Sequence, residues 1–266
     1  MPKFVYFDTD AFHRIGQAFA RQALAEELRE KILLSPITFL EALSHLTLTN
    51  HDEVLLHIQA VRNWLNPKHA GLLAWPDVAI AKFGFNKILQ DDFTDRAEKT
   101  ITQCLSTDSA DDFQESAGKL KDALDKMKDS TAKDFARLVE LYRKEPLVGE
   151  EFSEVWAYGI ARRVKADPQI RPLQEIVAGL SAYHEFEEER LKVAASNPAY
   201  KPDKNDLIDS EQLVYLGDPS LHFITCDGGY LKRIKKSAQA ARIHKVSKFD
   251  LEVAGRVEAL IAKITS

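Results

Sequence analysis

A chain of 266 residues with 45% hydrophobic side chains can bury a sizeable core, as one large domain or two small ones. A net charge of −5 argues against a protein that coats nucleic acid non-specifically, but leaves room for an enzyme with local basic groups and metal-binding acids. No apolar run reaches the roughly 20 residues that cross a bilayer, the first residues lack a signal pattern, and Cys104 and Cys226 lie far apart without metal-ligand spacing. The expectation is a cytoplasmic globular protein with buried thiols, no membrane span and no disulfide.

In chain order, Lys3 to Phe7 is β-branched or aromatic and closes on Asp8-Thr9-Asp10. That is the form of a buried strand passing into a helix, so Asp8 is expected at a strand's C-terminal end. Ala11 to Arg29 turns helical, with an Ala-rich run and charges on the other face. Ile32 to Ser35 reads as a second short strand, and Pro36 suits the first turn of the following helix. There Ile37, Leu40, Glu41 and Ser44 share one face, so Glu41 is an acid on an apolar side and requires a partner. Asp52 to Leu65 continues as helix.

From about 68 to 196 no strand is expected, only helical segments separated by breakers such as Trp75-Pro76, Glu145-Pro146 and Asp167-Pro168. Gln114 to Lys144 and Leu173 to Ala195 are long and amphipathic, and the crowded charges from Lys119 to Lys133 read as a solvated helix surface. Residues 200–204 form a turn-rich link back into α/β sequence. Asp206 and Asp209 then open a helix, and Phe223-Ile224-Thr225-Cys226 is a short strand ending in Asp227. Gly228-Gly229 permits a tight turn. Tyr230 to Gln239 reads as a short helix, Arg242 to Val246 as a strand and Leu251 to Ile264 as a closing helix.

Strands alternating with helices imply a parallel sheet, whose functional groups gather at the C-terminal strand ends. Asp8 and Asp227 both belong on that edge, and Glu41 and Asp209 sit in first turns of helices that could face it. Four carboxylates there repel one another unless a cation is present. Hard oxygen ligands without His or Cys favour Mg²⁺ or Mn²⁺ over zinc, and such a site suits phosphodiester hydrolysis. Singly, Asp8, Asp206 or Asp209 could instead be helix caps, and Glu41 could be neutralised by a Lys or Arg from the middle of the chain. Lys232, Arg233 and Lys235, just beyond Asp227, are candidate contacts to substrate phosphates, with a solvated helix face as the plainer alternative.

The strings Val5-Tyr6-Phe7-Asp8-Thr9-Asp10, Ile37-Thr38-Phe39-Leu40-Glu41-Ala42, Asp206 with Asp209, and Phe223-Ile224-Thr225-Cys226-Asp227 resemble, in this order, the motifs of the PIN-domain nucleases. The resemblance implies a three-layer α/β/α core around a central parallel sheet. Residues 1–67 and 201–266 would form that core and 68–200 a large α-helical insertion. It implies Asp8, Glu41, Asp209 and Asp227 as the catalytic, Mg- or Mn-binding acids, Asp206 as an extra ligand, and Thr225 as a polar residue that meets substrate or orients a carboxylate. The implied activity is that of a ribonuclease on an RNA substrate; a toxin role, an antitoxin or other protein partner and homo-oligomerisation stay open. Two departures stand out: Asp10 lies where the family often has Asn, and the insertion far exceeds that of the small toxin members. Two other readings are a haloacid-dehalogenase-like phosphatase, with Asp8 as nucleophile and Asp10 as acid/base, and a non-catalytic PIN-like interaction scaffold.

Overall fold

The computed structural model describes residues 1–44, 61–64, 71–89, 99, 102–103, 106, 110–147, 149–197, 199–200 and 208–266. Strand β1 (Phe4–Phe7) pairs in parallel with β2 (Leu221–Thr225), Phe4 opposite Leu221 and Phe7 opposite Ile224. β2 pairs in parallel with β3 (Ile243–Lys245), giving the order β1-β2-β3. The described helices include α1 (Thr9–Ala18), α2 (Glu26–Arg29), α3 (Pro36–Ser44), α4 (Pro76–Phe85), α5 (Ala110–Lys144), α6 (Glu150–Arg163), α7 (Leu173–Gly179), α8 (Ser181–Ser196), α9 (Gly229–Arg233), α10 (Lys248–Leu251) and α11 (Ala254–Thr265). Two 3-10 helices, Ser210–Gly217 and Ala238–Arg242, flank β2 and its following turn.

The expected second strand at Ile32 to Ser35 is reduced to single parallel bridges, Val5 to Ile32 and Leu34 to Leu72. Ser35 and Pro36 turn the chain into α3 at once, and Pro36 has no N–H to extend a ladder. The bridge at Leu72 also puts extended backbone in the stretch for which only helix was expected.

Alternation along the strands sorts the core into two faces. Val5, Phe7 and Ile224 pack with Phe12 and Ile15 of α1, Ile37 and Leu40 of α3, and Val257 and Ile261 of α11. Tyr6 and Phe223 pack with Ile80 of α4, Ile160 of α6, Ile176 of α7, Phe186 of α8 and Leu213 of the 3-10 helix. The result is a mixed α/β fold with helices on both faces of a small parallel sheet. Middle-segment residues share these clusters with residues from both ends of the chain. Among the described residues, no helix is long and apolar enough to cross a membrane.

Several elements are shorter than expected, for local reasons. Ala11 to Arg29 divides into α1 and α2, and Leu173 to Ala195 divides at Leu180 into α7 and α8. At that second break Gly179 lies so close to α4 that an added Cβ would meet the Phe83 carbonyl oxygen at 2.2 Å. The helix expected over Tyr230 to Gln239 stops at Arg233, because the Glu185 carboxylate captures the N–H groups of Lys235, Lys236 and Ser237 at 2.8–3.0 Å. The closing helix, expected from Leu251, begins at Ala254 and runs to Thr265 as α11, with the short α10 ending at Leu251 before it. Of Asp52 to Leu65 only 61–64 are described, and they are helical.

Candidate metal centre

Asp8, Glu41, Asp209 and Asp227 line one cleft of about 320 Å³, together with Thr9, Asp10, His13 and Tyr230. Asp8 is the first residue past β1 and caps α1, its Oδ1 accepting from Ala11 N–H at 2.8 Å. Cap and site member are thus one residue. Its Oδ2 accepts from the hydroxyl of Thr225, the buried last residue of β2. Thr225 Oγ1 in turn accepts the Asp227 N–H at 2.9 Å, so one hydroxyl bridges two acids. Asp227 Oδ1 accepts from Gly229 N–H at 2.7 Å. A Cβ on Gly229 would stand 2.7 Å from the other carboxylate oxygen, so this turn admits only glycine without moving the acid.

Glu41 is 5% exposed on the inward face of α3. Its Oε2 accepts from Thr9 Oγ1 at 2.6 Å, and its Oε1 lies 3.2 Å from Lys128 Nζ. Asp209 leads into the 3-10 helix without a side-chain cap bond, and its carbonyl accepts from the Tyr230 hydroxyl at 3.2 Å. A buried latch ties these arms to the sheet. Tyr6 Oη donates to Gln212 O at 2.8 Å, Gln212 Nε2 to Thr38 Oγ1 at 2.7 Å, and Thr38 Oγ1 to Phe7 O at 2.8 Å.

The electrostatics follow from burial and crowding. Burial pushes the Asp8 carboxyl from 3.8 up to about 6; the bonds from Thr225 and Ala11 pull it down, while the charges of Asp10 and Asp227 push it up. Tyr230 is driven well above the usual phenol range by burial and then by the charges of Asp209, Asp8, Glu41 and Asp227, so the fields of all four acids meet at one hydroxyl. Burial alone would raise Asp10, but Lys248 at 2.8 Å and Arg14 at 3.5 Å outweigh it and hold Asp10 below its ordinary value. Cys226 is half-buried, and burial with the nearby Asp8 and Asp10 pushes its thiol up to about 11, which makes it a poor nucleophile.

The four principal acids expected from sequence are therefore brought together. Asp206 and Cys104 lie outside the described residues. Thr225 is buried and occupied with Asp8 and Asp227, which makes it a positioning group and not a substrate contact. Lys232, Arg233 and Lys235 do not line the cleft. Lys232 and Lys235 are exposed, and the Arg233 guanidinium lies 4.9 Å from the Phe186 ring centroid.

Lys128, His13 and Tyr230 are site neighbours that sequence reasoning missed. Lys128 departs from the solvated surface expected over Lys119 to Lys133: it is 8% exposed and pairs with Glu41. The signal was present. Leu124, Lys128, Phe135, Val139 and Tyr142 follow three-and-four spacing along the buried stripe of α5, and Lys128 is the one charge among them.

Among the described residues, no three His, Cys, Asp or Glu side chains form a group that could hold a metal ion. The oxygens of Asp8 and Glu41 and one oxygen of Asp227 are turned toward protein donors. In chemistry the set fits a hard divalent cation: the principal donors are carboxylates, each hydrogen-bonded oxygen keeps a further lone pair, and a nearby cation would offset both the burial that chiefly raises Asp8 and the smaller push from the charges of Asp10 and Asp227. No family model, curated protein or solved structure matches this chain.

Two expected outcomes follow from these contacts. The folded carboxyl of Asp8 binds its proton more tightly than the unfolded one, so stability falls as pH rises from about 4 to 6 and the full cost, about 3 kcal/mol, applies above that window. Asp8→Asn should therefore be more stable than the parent at pH 7.5 in EDTA, with the gap closing toward pH 4 in urea titrations; a gap independent of pH contradicts the assignment. Lys128→Met leaves Glu41 as a buried charge without its ammonium and should cost roughly 3 kcal/mol. The double variant with Glu41→Gln should recover most of that loss, whereas simple additivity shows that the pair is not coupled.

Proposed function

We propose that this chain is a Mg²⁺- or Mn²⁺-dependent nuclease of PIN-like type that hydrolyses phosphodiester bonds in RNA. The observation that carries the reading is the meeting of Asp8, Glu41, Asp209 and Asp227, from four separate stretches of sequence, in one cleft beyond the ends of β1 and β2. The motif resemblance supplies RNA as substrate, and on it alone rests Asp206 as a further ligand.

These four acids would hold the cation. When bound, it supplies a reactive water at neutral pH and neutralises charge on the phosphoryl oxygens. The chain's own groups preorganise the donors. Thr225 fixes Asp8, the Gly229 N–H fixes Asp227, and Thr9 with Lys128 fixes Glu41. Burial makes Asp8 a strained anion until positive charge arrives. The phosphatase alternative needs Asp10 as a proton donor, but its pairs with Lys248 and Arg14 favour the ionised form. The nuclease reading is preferred on that ground.

The test is cleavage of end-labelled single-stranded RNA in EDTA and in millimolar Mn²⁺. Cleavage should require the metal and be abolished in Asp8→Asn and in Asp227→Asn, each with an unchanged circular dichroism spectrum. Thr225→Val, which removes only the orienting hydroxyl, should lose about 10–100-fold. Undiminished cleavage in both Asp variants sinks the proposal.

A further inference from the structure

A second, larger cleft of about 920 Å³ opens beside the acidic one, between the middle of α5, the end of α6, α8 and the start of the Ser210–Gly217 helix. Its size is that of a small-molecule site. The two clefts share a wall. Asp209 lines the acidic cleft while Ser210 and Glu211 line this one, and Lys128 reaches Glu41 while Ser130 and Thr131, just beyond it on α5, line this one.

The lining separates into an aromatic, charge-balanced interior and a cationic mouth. Trp75, Phe135 and Tyr183 are buried in its walls. Arg163 is neutralised by Glu211 at 2.6 Å and Asp77 at 2.5 Å. Arg190 pairs with Glu187 at 2.5 Å and lies 4.4 Å over the Phe135 ring. Three of the four lining carboxylates are thereby matched. What is left is Asp134 against two exposed guanidiniums, Arg137 and Arg162, which carry no salt bridge among the described residues. Aromatic side chains and unpaired arginines lining one cleft are a combination that takes a base and its phosphate.

We propose that this cleft is a nucleotide-binding subsite, with the base against Trp75, Phe135 and Tyr183 and the phosphate held by Arg137 and Arg162. The assignment deepens the nuclease reading and rests on it: a strand whose scissile phosphate lies among the acids would place a neighbouring nucleotide here, across the shared wall. The helical middle segment then contributes recognition, because α5, α6 and α8 supply most of the lining. The nucleotide could arrive free or as one unit of a strand, and the two are separable by titration.

The experiment is calorimetric titration of the full chain, in EDTA, with adenosine monophosphate and separately with a single-stranded RNA hexamer. The parent should bind at least one of these ligands. Arg137→Gln/Arg162→Gln should bind at least about tenfold more weakly, since two charge-assisted contacts are lost. Phe135→Ala should weaken binding as well. Binding of the monophosphate identifies a free-nucleotide site, and binding of the hexamer alone identifies a strand subsite; both support the proposal. Absence of binding to either ligand, or affinity that the arginine pair leaves unchanged, overturns it. Because the titration needs no metal, RNA cleavage with unaltered binding in the arginine variant defeats the subsite alone. Arginine-dependent binding without any cleavage defeats the nuclease reading alone.

Discussion

The parallel pairing of β1 with β2 is the constraint on which the site depends. Its register sets Phe7 opposite Ile224, and the next residues, Asp8 and Thr225, then meet side chain to side chain. A slip of one residue would exchange the two faces of β1, turning Tyr6 toward α1 and Val5 toward the 3-10 helix, and would separate that pair. The register is specified because both faces are buried against different partners. Joining strands from opposite ends of so long a chain is tolerable, since each doubling of a closed loop adds only about 0.6 kcal/mol. The intervening helices also bury the Tyr6 and Phe223 face.

With that pairing in place, the acidic cleft becomes a problem of desolvation met differently at each position. Asp8 receives two hydrogen bonds, yet burial still dominates and its proton affinity rises. Glu41, equally buried, is given an ammonium by Lys128 of α5. Asp227 stays exposed and is fixed by backbone geometry, while Asp10 is drawn outward to Lys248 and Arg14. Placing a desolvated acid among other acids is unfavourable for the chain alone, a cost that the proposed divalent cation would offset.

Much of this was legible in the sequence. An apolar strand that closes on an acid identified Asp8 and Asp227, and helical spacing identified Glu41 as an acid on a buried face. Other features were illegible for definite reasons. A charge-rich helix does not announce which face meets the core, so Lys128 passed for a surface residue until Leu124 and Phe135 are seen buried on the same stripe. Ser210 to Leu216 are all buried, so no exposed face marks the period that would separate a 3-10 helix from an α-helix there. The basic run after Asp227 pointed toward phosphate, whereas its backbone is held by Glu185, a partner remote in sequence. The cleft of arginines and aromatics is assembled from separate helices and has no linear motif.

The central claim, that these acids act together on a divalent cation, is tested most directly by soaking crystals in Mn²⁺ and measuring anomalous scattering. The account predicts a manganese peak bounded by the carboxylates of Asp8, Glu41, Asp209 and Asp227, and loss of that peak in Asp8→Asn crystals. Manganese bound only elsewhere, or an unchanged peak in the Asp8→Asn crystals, would contradict it.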